Sequence, residues 1–174
     1  SQGPSTGRTA PVAVDGAAGR VALTAAETIV AQGALRANAS GVAGAQGGTL
    51  AVSLDPRSRN EDAESPVPFP QGPRIIDVGS SAPIVIDARA AIPVPLNGRA
   101  LLDPRSVAAG GFAALDLVAR PAFQLATTQS TAAIRFNGAV DLTPSQRLVL
   151  DAPIIAGRDA AATLRSAYVA IGST

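Results

Sequence analysis

The 174-residue sequence contains no cysteine, methionine, tryptophan or histidine, with one tyrosine and four phenylalanines as its only aromatic residues. Each absence excludes a class of chemistry. Without cysteine there is neither a disulfide framework nor a thiolate nucleophile. Without cysteine and histidine, a zinc or copper site would have to be built from carboxylates alone, a poor donor set for either metal. Serine and threonine are plentiful, but a hydroxyl nucleophile has no imidazole to act as its base. Lysine is absent too: all 14 basic residues are arginine, set against 13 acidic ones for a net charge of +1. There is no basic stripe and no set of aromatic stacking platforms, which argues against nucleic-acid binding. No apolar run reaches the length of a membrane-spanning helix. The N-terminal SQGPSTGRTAP has no apolar core of a signal peptide. The chain stops at YVAIGST, straight after a strand-like run, so it reads as an internal piece or as one whose leader has been removed.

What is present is aliphatic and finely punctuated. Hydrophobic residues make up 47% of the chain, much of it alanine and valine, while 17 glycines and 14 prolines divide it into short pieces and disfavour long helices. Residues 1–18 read as a loose lead-in. From Gly19 a period-2 pattern begins, with Val21, Leu23 and Ala25 expected inward and Ala22 and Thr24 outward. Thr28–Ser40 reads as two short strands broken at Gln32–Gly33, and Thr49–Leu54 as another. The stretch 19–54 is thus one strand-bearing region. The run 55–74 holds five prolines and a dense charge cluster and reads as a long loop excursion.

Strand signals return over 75–174, at Arg74–Val78, Pro83–Ala88, Phe112–Ala119, Phe123–Thr127, Ala132–Phe136, Ala139–Thr143, Arg147–Ala156 and Ala162–Gly172. Ile92–Leu96 alternates with proline and reads as an isolated extended piece or an edge. Asn97–Gly98 is a turn signal. Asp103–Pro104 opens a helical turn that Gly110–Gly111 closes. Many short strands fit either a sandwich or barrel, or a solenoid. Short Gly/Ala turns, recurrence on a scale of roughly 20 residues and the shortage of aromatic plugs favour an all-β parallel β-helix, its centre made of aligned Val, Ile, Leu and Ala.

Two sets of residues carry a family likeness. GRVALTAAETIVAQGALRANASGVAGAQGGTLAVSL looks like one haemagglutinin-type coil set, and GGFAALDLVA, IRFNGAVDLTPSQRLVLDAPIIAG and ATLRSAYVAIG are similar to a C-terminal-region domain found in large bacterial exoproteins. The chain therefore resembles the filamentous haemagglutinin family of two-partner secretion. The resemblance implies a right-handed parallel β-helix, export through an outer-membrane transporter, and a cell-surface fibre serving adhesion or biofilm formation. The Asn-Pro-Asn-Gly-type motif of the family's secretion domain is missing, so this segment is not expected to engage the transporter itself. Polysaccharide-degrading β-helix enzymes and phage-type carbohydrate-binding spikes are the alternatives.

Candidate chemistry is sparse. Asp77, Asp87, Asp116, Asp141 and Asp151 recur inside strand signals, where two could pair as acid and base in a sugar-cleaving groove. Alternation with apolar neighbours instead places each on an outer, solvated face. No calcium-binding nonapeptide follows Gly47–Gly48 or Gly110–Gly111. Gly157–Arg158–Asp159 reads as a turn, and the Asn38–Ala39–Ser40 sequon as chance. The Arg57–Glu64 cluster is expected to keep an exposed loop soluble, and Phe69 to pin that loop to the fibre wall. No phosphate loop or nucleophile elbow occurs. No catalytic, cofactor-binding or metal-ligating residue is assigned. A fragment with open ends is expected to self-associate end to end.

Overall fold

A computed structural model describes residues 18–39, 41, 45–56, 72–84, 93–121 and 131–172. The architecture is mostly β, with three parallel sheets stacked in register, a parallel β-helix-like arrangement. The first sheet contains β1 (Arg20–Ala25), β3 (Thr49–Leu54), β6 (Ala114–Ala119), β9 (Arg147–Asp151) and β12 (Tyr168–Gly172), in that spatial order. The second runs β2 (Thr28–Ala31), β5 (Arg99–Leu102), β4 (Arg74–Gly79), β7 (Ala132–Asn137) and β10 (Ile154–Arg158). The third pairs β8 (Val140–Leu142) with β11 (Ala162–Leu164).

The last two turns of the chain show the repeat at its plainest. β7, β8 and β9 lie one in each sheet, and β10, β11 and β12 return to the same sheets, each beside its predecessor. Arg147 lies beside Tyr168 and Ala133 beside Ile154, a chain separation of about 21 positions in both cases. Strand runs that read as single units in the sequence are bent at coil corners. Arg147–Ala156 breaks at Ala152–Pro153, and Ala162–Gly172 breaks between β11 and β12.

Register converts the period-2 pattern into interior columns. Val21, Leu50, Leu115, Leu148 and Val169 lie side by side across the five strands of the first sheet, and Leu23, Val52, Leu117, Leu150 and Ile171 form a second such column. In the second sheet the column is Ile29, Ala100, Ile76, Ile134 and Ile155. Leu50, Leu115, Leu117, Leu148 and Leu150 are completely buried. Burying such side chains is the main stabilising contribution, about 1.5–3 kcal/mol each before chain entropy is subtracted.

The second sheet departs from simple winding. β4 follows β3 in the chain, but β5, which comes after β4, inserts between β2 and β4. After Gly79 the chain passes Gln32, just beyond β2, where Ser81, Ala82 and Ile84 bond its side chain, and β5 then lies one position back in the stack. Gly98 closes this return at φ 73°, and its carbonyl accepts from the Ile75 amide at 2.8 Å. A Cβ at Gly98 would lie 2.1 Å from the Pro73 carbonyl oxygen, so the turn needs glycine both for its left-handed backbone and for its close approach.

Two sequence readings are corrected. Residues 34–39 form no second strand: Ala37 donates to Gly110 and accepts from Gly48, both at 2.8 Å, but these neighbours are a helix cap and a glycine corner, so no ladder propagates. Val94–Leu96 is a 3-10 turn instead of an extended piece, because Pro93 and Pro95 fix φ near values that suit such a turn and the Leu96 amide reaches the Pro93 carbonyl. The strand signal at Arg74–Val78 is β4, one residue longer. The expected helical turn is α1 (Pro104–Ala109), capped by Asp103 and ended at Gly110, with Gly111 left-handed at φ 67°. The lead-in up to residue 17, loop residues 57–71 and the Phe123–Thr127 signal lie outside the described residues, as does most of Pro83–Ala88.

The columns generate a sharp contrast. Leu117→Ala, at the centre of a column, is expected to cost about 2–5 kcal/mol. Val149→Ala, on the outer face of the neighbouring strand, should cost under about 1 kcal/mol. Urea unfolding followed by far-UV circular dichroism measures both; equal losses would contradict the assigned register.

Candidate functional site

The strand aspartates are where sequence reading concentrated its chemistry, and the structure disperses them. Asp116 faces outward from β6 and is gripped by Arg147 of β9, with Nε to Oδ1 at 3.0 Å and Nη2 to Oδ2 at 2.6 Å. Asp151, at the end of β9, accepts from Arg120 Nη2 at 2.9 Å, and the same guanidinium stands 3.9 Å from Asp55. Asp77 of β4 accepts from Arg99 Nε at 2.8 Å through Oδ2, and from Asn137 Nδ2 at 2.9 Å through Oδ1. Asp141 is exposed on β8. Asp87 lies outside the described residues.

These pairs share a geometry. Asp55, Arg120 and Asp151 follow or end β3, β6 and β9, three neighbouring strands of one sheet, so the guanidinium clamps carboxylates on both sides of it. Across β5, β4 and β7 the roles reverse, with the Asp77 carboxylate between the Arg99 guanidinium and the Asn137 amide. The ionic contacts run along the stack and tie one coil to the next. Each of these carboxylates is held by an arginine in a charge-assisted hydrogen bond.

Asp77 differs from its sequence reading in one respect. Its position on the strand is outward, yet its side chain is only 7% exposed. The Arg99 guanidinium on one flank and the Asn137 amide on the other cover the carboxylate, which supplies the partners that burial of a charge demands. A second buried charge lay beneath the sequence signal altogether. Arg74 shares the inward parity of Ile76 and Val78 and is 1% exposed. Its Nη1 donates to the Gly72 and Pro73 carbonyls at 3.2 Å. Burial lowers its pKa, and the field of Glu27 opposes that shift. Parity could have flagged Arg74; the loop-like composition around it hid the signal.

A shallow groove of about 430 Å³ runs between residues 34–38 and α1, lined by Leu35, Arg36, Asn38, Asp103, Arg105 and Ser106 among others. Asp103 caps α1 by accepting from the Arg105 amide at 2.9 Å and also pairs with the Arg105 guanidinium at 3.1 Å. The groove's carboxylate is therefore spent on its own helix. Asn38 of the sequon packs over Gly111, while Ser40 lies outside the described residues. Asp159, in the Gly157–Arg158–Asp159 turn, takes a left-handed φ of 66°. Phe69 and the Arg57–Glu64 cluster lie outside the described residues. Of the aromatics, Phe112 and Phe136 are buried in the core and Tyr168 is exposed on the last coil. Among the described residues no three acidic side chains cluster as a metal ion would require.

The fold and its surface together define a stacked, parallel-sheet protein whose charged side chains brace its coils. Compared with protein-family models, curated protein sequences and solved structures, the chain matches none.

Two measurements test these assignments. Asp77→Ala leaves a covered amide and guanidinium without their acceptor and is expected to cost about 2 kcal/mol, against under about 1 kcal/mol for Asp116→Ala at its more solvated pair. Parallel urea titrations compare them. At Asp103, the side-chain hydrogen bond from Arg105 holds the carboxyl below its ordinary value, with the backbone bond and the guanidinium charge acting the same way against a smaller desolvation effect. A lowered folded pKa means that the charge-dependent stabilisation is present above the unfolded carboxyl's value and is lost as pH falls through the folded one. Wild type and Asp103→Asn should therefore differ in stability at neutral pH and converge in strong acid, as read from thermal unfolding across pH. A difference independent of pH would remove the charge from the account.

Proposed function

We propose that the chain is a structural segment of a secreted bacterial surface fibre of the filamentous haemagglutinin type, acting in adhesion or biofilm formation as shaft or display scaffold. In this reading the coils wind as a right-handed parallel β-helix, the hand favoured for parallel crossovers. The Pro-rich run at 55–74 leaves the wall as a loop, and the parent chain is exported through an outer-membrane two-partner secretion transporter. The observation that carries the reading is the pair of aliphatic columns running unbroken through all five strands of the first sheet. Such an interior grows by adding coils along one axis, which gives reach and stiffness. The engagement of Asp77, Asp116 and Asp151 by arginines supports a bracing role for the surface charges over a hydrolytic one.

The reading is tested on the cells that make the protein. Antibody against this segment should label intact cells, and the label should disappear both after mild protease treatment and after deletion of the cognate transporter. Recovery of the protein only from the cytoplasmic fraction would overturn the proposal.

A further inference from the structure

The chain holds two Asn–Gly steps, Asn97–Gly98 and Asn137–Gly138, and both glycines are left-handed, at φ 73° and 75°. In such a step the asparagine side-chain amide is open to attack by the next backbone nitrogen, because glycine has no Cβ to shield that nitrogen. The fold treats the two steps differently. At Asn137 both reacting groups are engaged: Nδ2 donates to Asp77 Oδ1 at 2.9 Å, and the Gly138 amide donates to the Arg158 carbonyl at 3.0 Å. Conversion of that side chain to a carboxylate would also set a second negative charge against Asp77, which like-charge repulsion disfavours.

Asn97 stands otherwise. It is exposed on the turn that leads into β5, and among the described residues no hydrogen bond engages its side chain or the Gly98 amide. Its amide can therefore rotate onto the Gly98 nitrogen, and water has access to what forms there. Arg74 lies alongside: a Cβ at Gly98 would stand 2.8 Å from its Nη1. A guanidinium so near favours the negative charge that develops as the Gly98 nitrogen gives up its proton.

We propose that Asn97 is a site of spontaneous covalent modification, deamidating through a succinimide while Asn137 is held intact. The Gly98 nitrogen attacks Asn97 Cγ. The N–Cγ bond forms, the Cγ–Nδ2 bond breaks, and the side-chain nitrogen leaves as ammonia with the proton that Gly98 gives up. Water then opens the ring at either carbonyl, leaving aspartate or isoaspartate. Isoaspartate carries an extra methylene in the main chain. It falls directly before Gly98, whose carbonyl accepts from the Ile75 amide at 2.8 Å and whose Cα faces the Pro73 carbonyl with no room for a Cβ. The lengthened backbone cannot keep both contacts, so the modification loosens the step that sets β5 beside β4. This inference rests on the chemistry of the turn and not on the export or adhesion reading, which the cell-labelling experiment tests separately.

Trypsin separates the two steps, since Asn97 falls in the peptide 90–99 and Asn137 in the peptide 136–147, each with no other asparagine. Folded protein is incubated in mildly alkaline buffer, digested, and mapped by liquid chromatography with mass spectrometry, which resolves the asparagine, aspartate and isoaspartate forms. Two hydrogen bonds hold back the Asn137 step, so deamidation at Asn97 is expected to be at least about tenfold faster. In urea the two rates should converge, because the fold no longer distinguishes the steps. Asn97 reacting no faster than Asn137 in the folded protein would overturn the site, and a ratio unchanged in urea would overturn the role of the fold. Isoaspartyl protein, isolated by ion exchange, should unfold at a lower temperature than Asn97→Asp, which gains the charge but no main-chain atom. Equal unfolding temperatures for these two would overturn the loosening of β5.

Discussion

In-register parallel pairing is the constraint from which the rest of this structure follows. When Leu50 lies beside Leu115 and Leu115 beside Leu148, the two-residue alternation of every strand is locked to that of its neighbours. A slip of one residue in any strand would turn its leucines to solvent and its polar residues inward, so the hydrophobic pattern and the backbone ladder specify the same answer. The corners obey the same spacing. Gly47 and Gly48 sit where adjacent coils pass so closely that an added Cβ would lie about 2 Å from a neighbouring carbonyl oxygen, that of Gly111 or Gly19 respectively. Bulk at a corner would wedge the coils apart and break the ladder beside it. At these corners glycine is a consequence of stacking.

The same constraint explains the disposition of charge. Outward positions of neighbouring strands are brought close along the stack axis, so an arginine on one strand meets an aspartate on the next, as Arg147 meets Asp116. Guanidinium suits this task because its fork can engage one carboxylate through two nitrogens or span two carboxylates, as Arg120 does. The Arg99–Asp77–Asn137 set lies where β5 steps back beside β4, the one place where chain order and spatial order disagree in the second sheet. We read this covered set as a register pin. Hydrophobic residues alone would accept β5 on either side of its neighbours, whereas a buried carboxylate accepts only the arrangement that brings it both partners.

How much of this was legible in the sequence depended on the range of the interactions involved. Period-2 alternation placed β1, β3, β6, β7, β8 and the aliphatic interior, because alternation reports burial strand by strand. Asn97–Gly98 and Asp103–Pro104 were legible because turns and caps are local: the φ of Gly98 and the Asp103 carboxylate at the Arg105 amide are settled within a few residues. The back-step of β5 was not legible, since nothing in RALL distinguishes an inserted strand from one added at the growing end. The outer-face placement of the aspartates could be read from parity, but their partners could not: Arg120 and Arg147 each lie 31 residues away in sequence. Residues 34–39 and 93–96 misled for a related reason. Residues 34–39 face a helix cap and a glycine corner that offer no ladder, and Pro93 and Pro95 set residues 94–96 into a 3-10 turn.

A stack of this kind also distributes stability unevenly. A central strand such as β6 is paired on both edges and its columns are covered from both sides, whereas among the described residues β12 is paired on one edge only, with Val169 and Ile171 exposed. Because each coil interacts only with its neighbours, the free energy of an end coil lacks one whole interface that every inner coil possesses. A globular sandwich loses nothing comparable at its termini, since its core closes on itself. In this fold the deficit cannot be repaired by a local substitution without ending the stack. A charge placed at Ile171 would make the edge soluble, but it would also forbid a further coil.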